Sequence, residues 1–329
     1  MGRIKWGIMG TATIAMEQVI PAMLRGEFCE VVGIASRSIA KAEEAAVKFR
    51  IPKFFGSYEG LLEDEEIEAV YIPLPNNLHV EWAVKAMKAG KHVLIEKPIA
   101  ISSRQAITLF NEAEKHHDLK VMEAFMYKFH PQWIKVKSLI DQGEIGQLKS
   151  IQSSFTFIDD DANSITNSKK YGGGSLMDIG CYSISISRFL FDAEPKNVMA
   201  SIEYHPQYEV DILATGILEF DNGSSSFFCS TQVDFTQQAQ IFGSKGSIRF
   251  ELPFNPPINE PSRIWVTKEE VTTEIEFENS NQYTKQVDAF SLAILKNKAT
   301  PFALSDAVNN MVVIEKLHES HTSGKRVFI

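Results

Sequence analysis

The chain has 329 residues, 44% of them hydrophobic, more apolar material than one core normally organises, which predicts two domains. Its 33 Lys and Arg stand against 42 Asp and Glu, a net charge of −9 with no basic block interleaved with aromatics, which argues against nucleic acid as a partner. Cys29, Cys181 and Cys229 fit neither a disulfide framework nor zinc-ligand spacing, no apolar run approaches the ~18 residues of a membrane span, and the N-terminus lacks a signal-peptide pattern, so a soluble cytoplasmic protein without a metal is expected.

In the first third, apolar spacing alternates between the strand and helix periods, the pattern of βαβ units and a parallel sheet. Ile4 to Met9 reads as a buried strand, Ile14 to Leu24 as a helix and Val31 to Ala35 as a second strand. Ser38 is placed to cap a helix whose sheet-facing side carries Ala42, Ala45, Ala46 and Phe49. Strand Ala69 to Ile72 follows, then a helix with Val80, Ala83, Val84 and Met87 on its inner face and Gly90 as a left-handed cap. Strand His92 to Glu96 stops at Pro98, and a helix over Ser103 to His116 leads into strand Lys120 to Ala124. This predicts a doubly wound Rossmann domain over residues 1–124.

Residues 125–329 change to runs of strands: Ser150 to Ile158, Val210 to Phe220, Ser224 to Val233 and Ser247 to Leu252. Helices Gln282 to Lys296 and Leu304 to His321 close the chain. The expected fold class is therefore α/β, an N-terminal doubly wound parallel sheet joined to an α+β domain with a large, mainly antiparallel open sheet for substrate binding and oligomerisation.

The segment from Gly7 to Ala15 joins the first strand to the first helix, where backbone amides and a helix N-terminus can meet a pyrophosphate. Read as G-x-G-x-x-G/A, it keeps Gly10 and Ala15 but places Ala12 at the middle glycine, with Thr11 and Ile14 between them. Ser36-Arg37-Ser38 ends the second strand about 21 positions past Ala15, where an acidic residue would read the ribose of NAD. Arg37 instead suits a 2′-phosphate, so NADP is favoured, with NAD the other possibility. Pro75, Asn76 and His79, and Glu96 with Lys97, lie at strand ends on the sheet edge that binds ligands, and are assigned to the cofactor cleft.

These residues, together with Glu96-Lys97-Pro98, Glu123 to Tyr127, Phe129-His130-Pro131 and Gly172 to Tyr182, resemble the glucose–fructose oxidoreductase and inositol dehydrogenase family over nearly the whole chain, in particular the branch of dimeric dihydrodiol dehydrogenase and xylose dehydrogenase. The resemblance implies that Lys97, Asp178 and Tyr182 are catalytic and touch substrate. It also implies a homodimer or higher oligomer that pairs its sheets, and a small polyhydroxylated substrate. Tyr182 stands where many family members carry His. Independently, Asp178 and Tyr182 are four apart, one helical turn, and a phenol of pKa ~10 needs a neighbouring cation such as Lys97 to exchange protons near neutral pH. Tyr283, opening a late helix, is a candidate substrate contact, with packing as the alternative. Two other functions fit parts of this pattern. A non-catalytic NADP-binding sensor would need Gly10 and Arg37 but not Lys97, Asp178 and Tyr182, and a same-fold reductase would take a non-sugar ligand.

Overall fold

The structure is a computed structural model that describes residues 2–329. Its contacts divide the chain into two compact units, Met1–Met126 with Asn281–Val308, and Tyr127–Ser280 with Asn309–Ile329.

The first unit is built on six parallel strands, β1 (Ile4–Met9), β2 (Cys29–Ala35), β3 (Lys53–Phe55), β4 (Ala69–Ile72), β5 (His92–Glu96) and β6 (Val121–Ala124), in the order β3-β2-β1-β4-β5-β6. Continuous apolar runs such as Ala69–Ile72 are buried along their whole length, as a strand covered on both faces must be. The crossovers carry α1 (Ile20–Met23), α2 (Ile39–Phe49), α3 (Tyr58–Leu62), α4 (His79–Lys88) and α5 (Ser103–Ala113). A π-helical turn, Ala15–Val19, precedes α1. Strand β3 and α3 were not anticipated, because three residues with alternating exposure carry too little pattern to read. The buried face of α4 is His79, Trp82, Ala83, Ala86 and Met87, rotated from the expected Val80, Ala83, Val84 and Met87 because the large His79 and Trp82 side chains go inward. Gly90 does take the left-handed conformation, at φ 76°. Ser38 occupies the position before α2, but its hydroxyl makes no capping bond.

The second unit carries α6 (Pro131–Asp141), α7 (Cys181–Phe191) and a nine-stranded sheet. Its strands are β7 (Leu148–Ile158), β8 (Asn197–Tyr204), β9 (Asp211–Phe220), β10 (Gly223–Ser230), β11 (Gln232–Gly243), β12 (Gly246–Phe250), β13 (Ser262–Lys268), β14 (Val271–Phe277) and β15 (Val327–Phe328). Every pairing is antiparallel except β10 with β7. The expected single strand Ser224 to Val233 is thus two. The chain leaves β10 at Ser230, passes the end of β7 where the Asp159 amide donates to the Thr231 carbonyl, and returns antiparallel on the far side of β7 as β11.

Two long helices, α8 (Gln282–Leu295) and α9 (Leu304–Ser323), precede the short last strand β15. The division by contacts differs from a single cut after residue 124 in placing α8 with the first unit. The cause is specific bonding: the Trp6 indole N–H donates to Ser291 Oγ at 3.1 Å, its ring packs on Phe290, and the Asp288 carboxylate accepts from the amides of Glu27 and Phe28. Among the described residues no helix is long and apolar enough to cross a membrane.

Candidate active site

In the first unit, the strand order reverses between β1 and β4, the point at which open parallel sheets bind ligands. Gly10 follows β1 with φ 128°, a conformation open to glycine, and a Cβ there would meet the Leu74 side chain at 3.2 Å. Thr11, Ala12 and Ile14 are half-buried and Ala15 is fully buried, so the turn offers backbone rather than long side chains to a ligand. Beyond β2, Ser36 is buried and its Oγ accepts from the Ser38 amide at 3.3 Å, while Arg37 and Ser38 are exposed. A glycine-lined turn with a cation and two hydroxyls one strand away fits a phosphorylated dinucleotide.

Strands β4 and β5 end beside one another, Ile72 opposite Ile95, so Pro75, Asn76 and Lys97 emerge from the same edge. Glu96 is held by the Tyr71 hydroxyl, which donates to its Oε1 at 2.5 Å, and the Lys97 amide donates to its Oε2 at 3.2 Å. His79 is fully buried, with Nδ1 2.8 Å from the Pro98 carbonyl and Nε2 2.7 Å from the Leu74 carbonyl. It ties the segment after β4 to the segment after β5, so it serves the cleft through Leu74 and Pro98 rather than as an exposed wall. Burial pushes its imidazole down to about 4 against the opposing pull of those two carbonyls. The Glu123 carboxylate, 8% exposed and unforeseen from the sequence, accepts from the Ile99 amide at 2.7 Å and fixes the chain just beyond Lys97. Tyr283, at the start of α8, is 9% exposed. Burial raises its phenol, followed by the Glu96 charge, while Lys97 pulls the other way, which places Tyr283 in the field of the β5 end.

In the second unit, Asp178 lies in a π-helical turn, Leu176–Gly180, that runs directly into α7 carrying Tyr182. Asp178 is half-buried, and the Thr166 hydroxyl lies 3.4 Å from its Oδ2. Tyr182, 4% exposed, packs among Tyr127, Phe155 and Phe254 at ring-centroid distances of 5.9, 5.6 and 5.2 Å. A buried Asp211, missed from the sequence, fixes this helix start: its Oδ2 accepts from Ser175 Oγ at 2.7 Å and from the Leu176 amide at 2.6 Å. The three glycines before it are used differently. Gly172 is left-handed at φ 74°, a Cβ on Gly173 would lie 2.2 Å from the Thr166 carbonyl oxygen, and one on Gly174 would lie 2.1 Å from Asp211 Oδ1. Among the described residues no group of three or more His, Cys, Asp and Glu side chains is arranged to hold a metal.

Comparison with known proteins agrees with both halves. Residues 4–125 match the family described as oxidoreductase family, NAD-binding Rossmann fold, and residues 133–249 match the GFO/IDH/MocA C-terminal domain. The D-xylose 1-dehydrogenase (NADP(+)) 2 of Haloferax volcanii is 35% identical over 98% of both chains. A trans-1,2-dihydrobenzene-1,2-diol dehydrogenase of Xenopus laevis is 34% identical over 74% of both. Among solved structures, a 3-ketoreductase from Actinomadura kijaniata in complex with NADP and TDP-benzene superposes with a TM-score of 0.90 at 28% identity, covering 97% of this chain and 98% of that one.

Proposed function

The chain belongs to the GFO/IDH/MocA oxidoreductase family, and on that premise we propose that it moves a hydride between NADP(H) and a hydroxyl- or carbonyl-bearing carbon of a sugar, cyclitol or related diol. The observation that carries the reading is that Gly10, Pro75, Asn76 and Lys97 all emerge at one edge of a parallel sheet where its strand order reverses. Relatives named for D-xylose and for a dihydrodiol support the substrate class.

In this reading the Gly10 turn, with Thr11, Ala12, Ile14 and Ala15, holds the pyrophosphate, and Ser36, Arg37 and Ser38 hold the 2′-phosphate. Pro75, Asn76 and Glu96, supported by His79, border the nicotinamide end. When bound, the dinucleotide supplies or accepts the hydride. Tyr182 gives its phenol proton to the carbonyl oxygen during reduction and takes the hydroxyl proton during oxidation. A phenol of ordinary pKa ~10 needs a neighbouring cation to exchange its proton near neutral pH, and the reading assigns Lys97 to stabilise the phenolate and to hydrogen-bond the same substrate oxygen. Asp178 binds a substrate hydroxyl or orients Lys97, and Tyr283 contacts substrate. A homodimer and a reducing cytoplasmic location are proposed for the whole protein, the latter in keeping with three cysteines that are buried and unbridged.

The test is to follow reduced-nicotinamide absorbance with aldoses, cyclitols and dihydrodiols and either cofactor. Turnover of a polyhydroxylated compound is expected. Tight NADP(H) binding with no turnover of any of them would replace this reading by a non-catalytic sensor.

A further inference from the structure

Arg37 is exposed, and a long cation on a flexible stem discriminates poorly unless something holds it in place. The structure supplies such a group in Tyr58, the first residue of α3. Tyr58 is 8% exposed, and its ring meets Trp82 edge-on at 4.9 Å and 82°, with Lys85 Nζ 3.9 Å from the Trp82 ring centroid. That packing fixes where the phenol points. Its oxygen lies 3.9 Å from the place a Cβ on Gly10 would occupy, so it faces the turn after β1, and the Ser36 amide donates to the Phe55 carbonyl at 3.1 Å, which brings the end of β2, with Arg37, alongside the segment that leads into Tyr58. Three segments from separate crossovers therefore come together around Tyr58: the Gly10 turn, the end of β2 and the start of α3.

We propose that Tyr58 is a specificity-determining positioning residue that holds the Arg37 guanidinium for the 2′-phosphate of NADP. The inference rests on the NADP reading above and extends it to a residue outside the Ser36-Arg37-Ser38 segment. Burial raises the Tyr58 phenol in spite of Arg37, so the oxygen keeps its proton at neutral pH. It can accept from Arg37 through a lone pair while its own O–H remains a donor toward an anion. A ribose 2′-hydroxyl gains little from a held guanidinium, whereas a phosphate gains charge-assisted bonds without the cost of ordering the side chain.

The experiment uses the full chain and the adenosine halves of the two cofactors, 2′,5′-ADP and 5′-ADP, titrated calorimetrically into wild type, Tyr58→Phe, Arg37→Ala and the double variant. Tyr58→Phe keeps the ring on Trp82, and an unchanged unfolding midpoint checks that. The expected result is a loss of about five-fold in 2′,5′-ADP affinity, the size of one hydrogen bond, with 5′-ADP changed by less than about two-fold. Since the phenol works through Arg37, the double variant binds 2′,5′-ADP as Arg37→Ala does. If wild type prefers 2′,5′-ADP and Tyr58→Phe leaves that preference intact, or weakens both probes equally, the assignment of Tyr58 is wrong and the NADP reading stands. A wild type with no preference for 2′,5′-ADP removes the NADP reading itself and the role of Tyr58 with it.

Discussion

Arg37 is exposed and sits one strand from the glycine turn, so its removal should cost binding without costing the fold. Arg37→Ala is expected to weaken NADPH by about 1.5–3 kcal/mol, the value of a charge-assisted hydrogen bond, and to leave NADH nearly unaffected. Titration of each reduced cofactor measures this, and tighter binding of NADH by wild type would reverse the assignment. Lys97 and Tyr182 are expected to act as one unit whose losses do not add. Tyr182→Phe keeps the ring among Tyr127, Phe155 and Phe254 and deletes only the hydroxyl, and Lys97→Met keeps the stem and deletes only the charge. Each should slow hydride transfer at least ~10²-fold, the double variant no more than slightly further, with NADPH affinity preserved. Near-wild-type turnover by Tyr182→Phe would move the proton to another donor. At this scale the sequence was legible where a residue type announces its chemistry, as Lys97 and Tyr182 do. It gave no role to Glu123 or Asp211, whose meaning comes from partners 24 and 36 positions away, nor to Tyr58, which the fold brings beside the Gly10 turn. No local spacing encodes such a pairing.

The helix that carries Asp178 and Tyr182 depends on how it begins. Gly174 has φ 114° and no room for a Cβ beside Asp211, so Gly174→Ala should lower stability by about 2–4 kcal/mol in urea unfolding. Asp211→Ala should cost about 3 kcal/mol, since it leaves the Ser175 hydroxyl and the Leu176 amide buried without their acceptor. Stability unchanged by both variants would show that the helix start is held elsewhere. The β5–β6 edge has its own dependence, on pH. His92 Nδ1 accepts from the Lys120 amide at 2.9 Å, and burial, reinforced by the Lys120 charge, lowers the imidazole to about 4. A folded value below the unfolded one means that its contribution is present in full above pH ~6.5 and is lost as pH falls toward 4, by about 2 kcal/mol once solvent screening is allowed for. His92→Asn keeps an acceptor for the amide but does not titrate, so its urea midpoint should fall less over that interval than that of wild type. An equal fall would exclude His92 as the source. Elements with a long, regular period were legible from sequence: β1, β4, β5 and α9 lie where apolar spacing puts them. The division between β10 and β11 was not, because only Thr231 separates the two strands and only their pairing on opposite sides of β7 reveals the reversal.

The nine-stranded sheet has two unlike faces, and the difference bears on assembly. Phe227, Ile241, Ile248 and Ile264 point into the core of the second unit and are 3% exposed or less. On the other face, neighbouring strands place Met199, Ile217, Ser226, Gln152, Gln240, Arg249, Trp265 and Glu274 in one continuous row. The row mixes exposed apolar groups, Met199 at 45% and Ile217 at 40%, with neutral polar ones, and Phe228 at 38% stands beside it. Arg249 stacks on Trp265 at 3.9 Å, and that indole donates to Glu274, so the charges at one end are already matched within the sheet. A recess of about 540 Å³ between Gln152, Ser226, Gln240 and Arg249 gives the face relief that a flat partner would leave unfilled. At ~4.8 Å between strands and ~3.3 Å per residue, such a sheet presents on the order of 900 Å², about what one partner contributes to a standard interface. A second copy meeting it face to face presents the same patch, and a two-fold contact forms where that patch is self-complementary, as a row of mixed apolar and neutral polar groups with its charges matched internally allows. Light scattering at micromolar concentration should therefore give twice the mass of one chain. Ile217→Glu puts a charge in place of an apolar group within that contact and should shift the mass toward one chain, with the unfolding midpoint of the separated protomer retained. A wild type that scatters as a single chain throughout this range would rule the sheet-to-sheet dimer out.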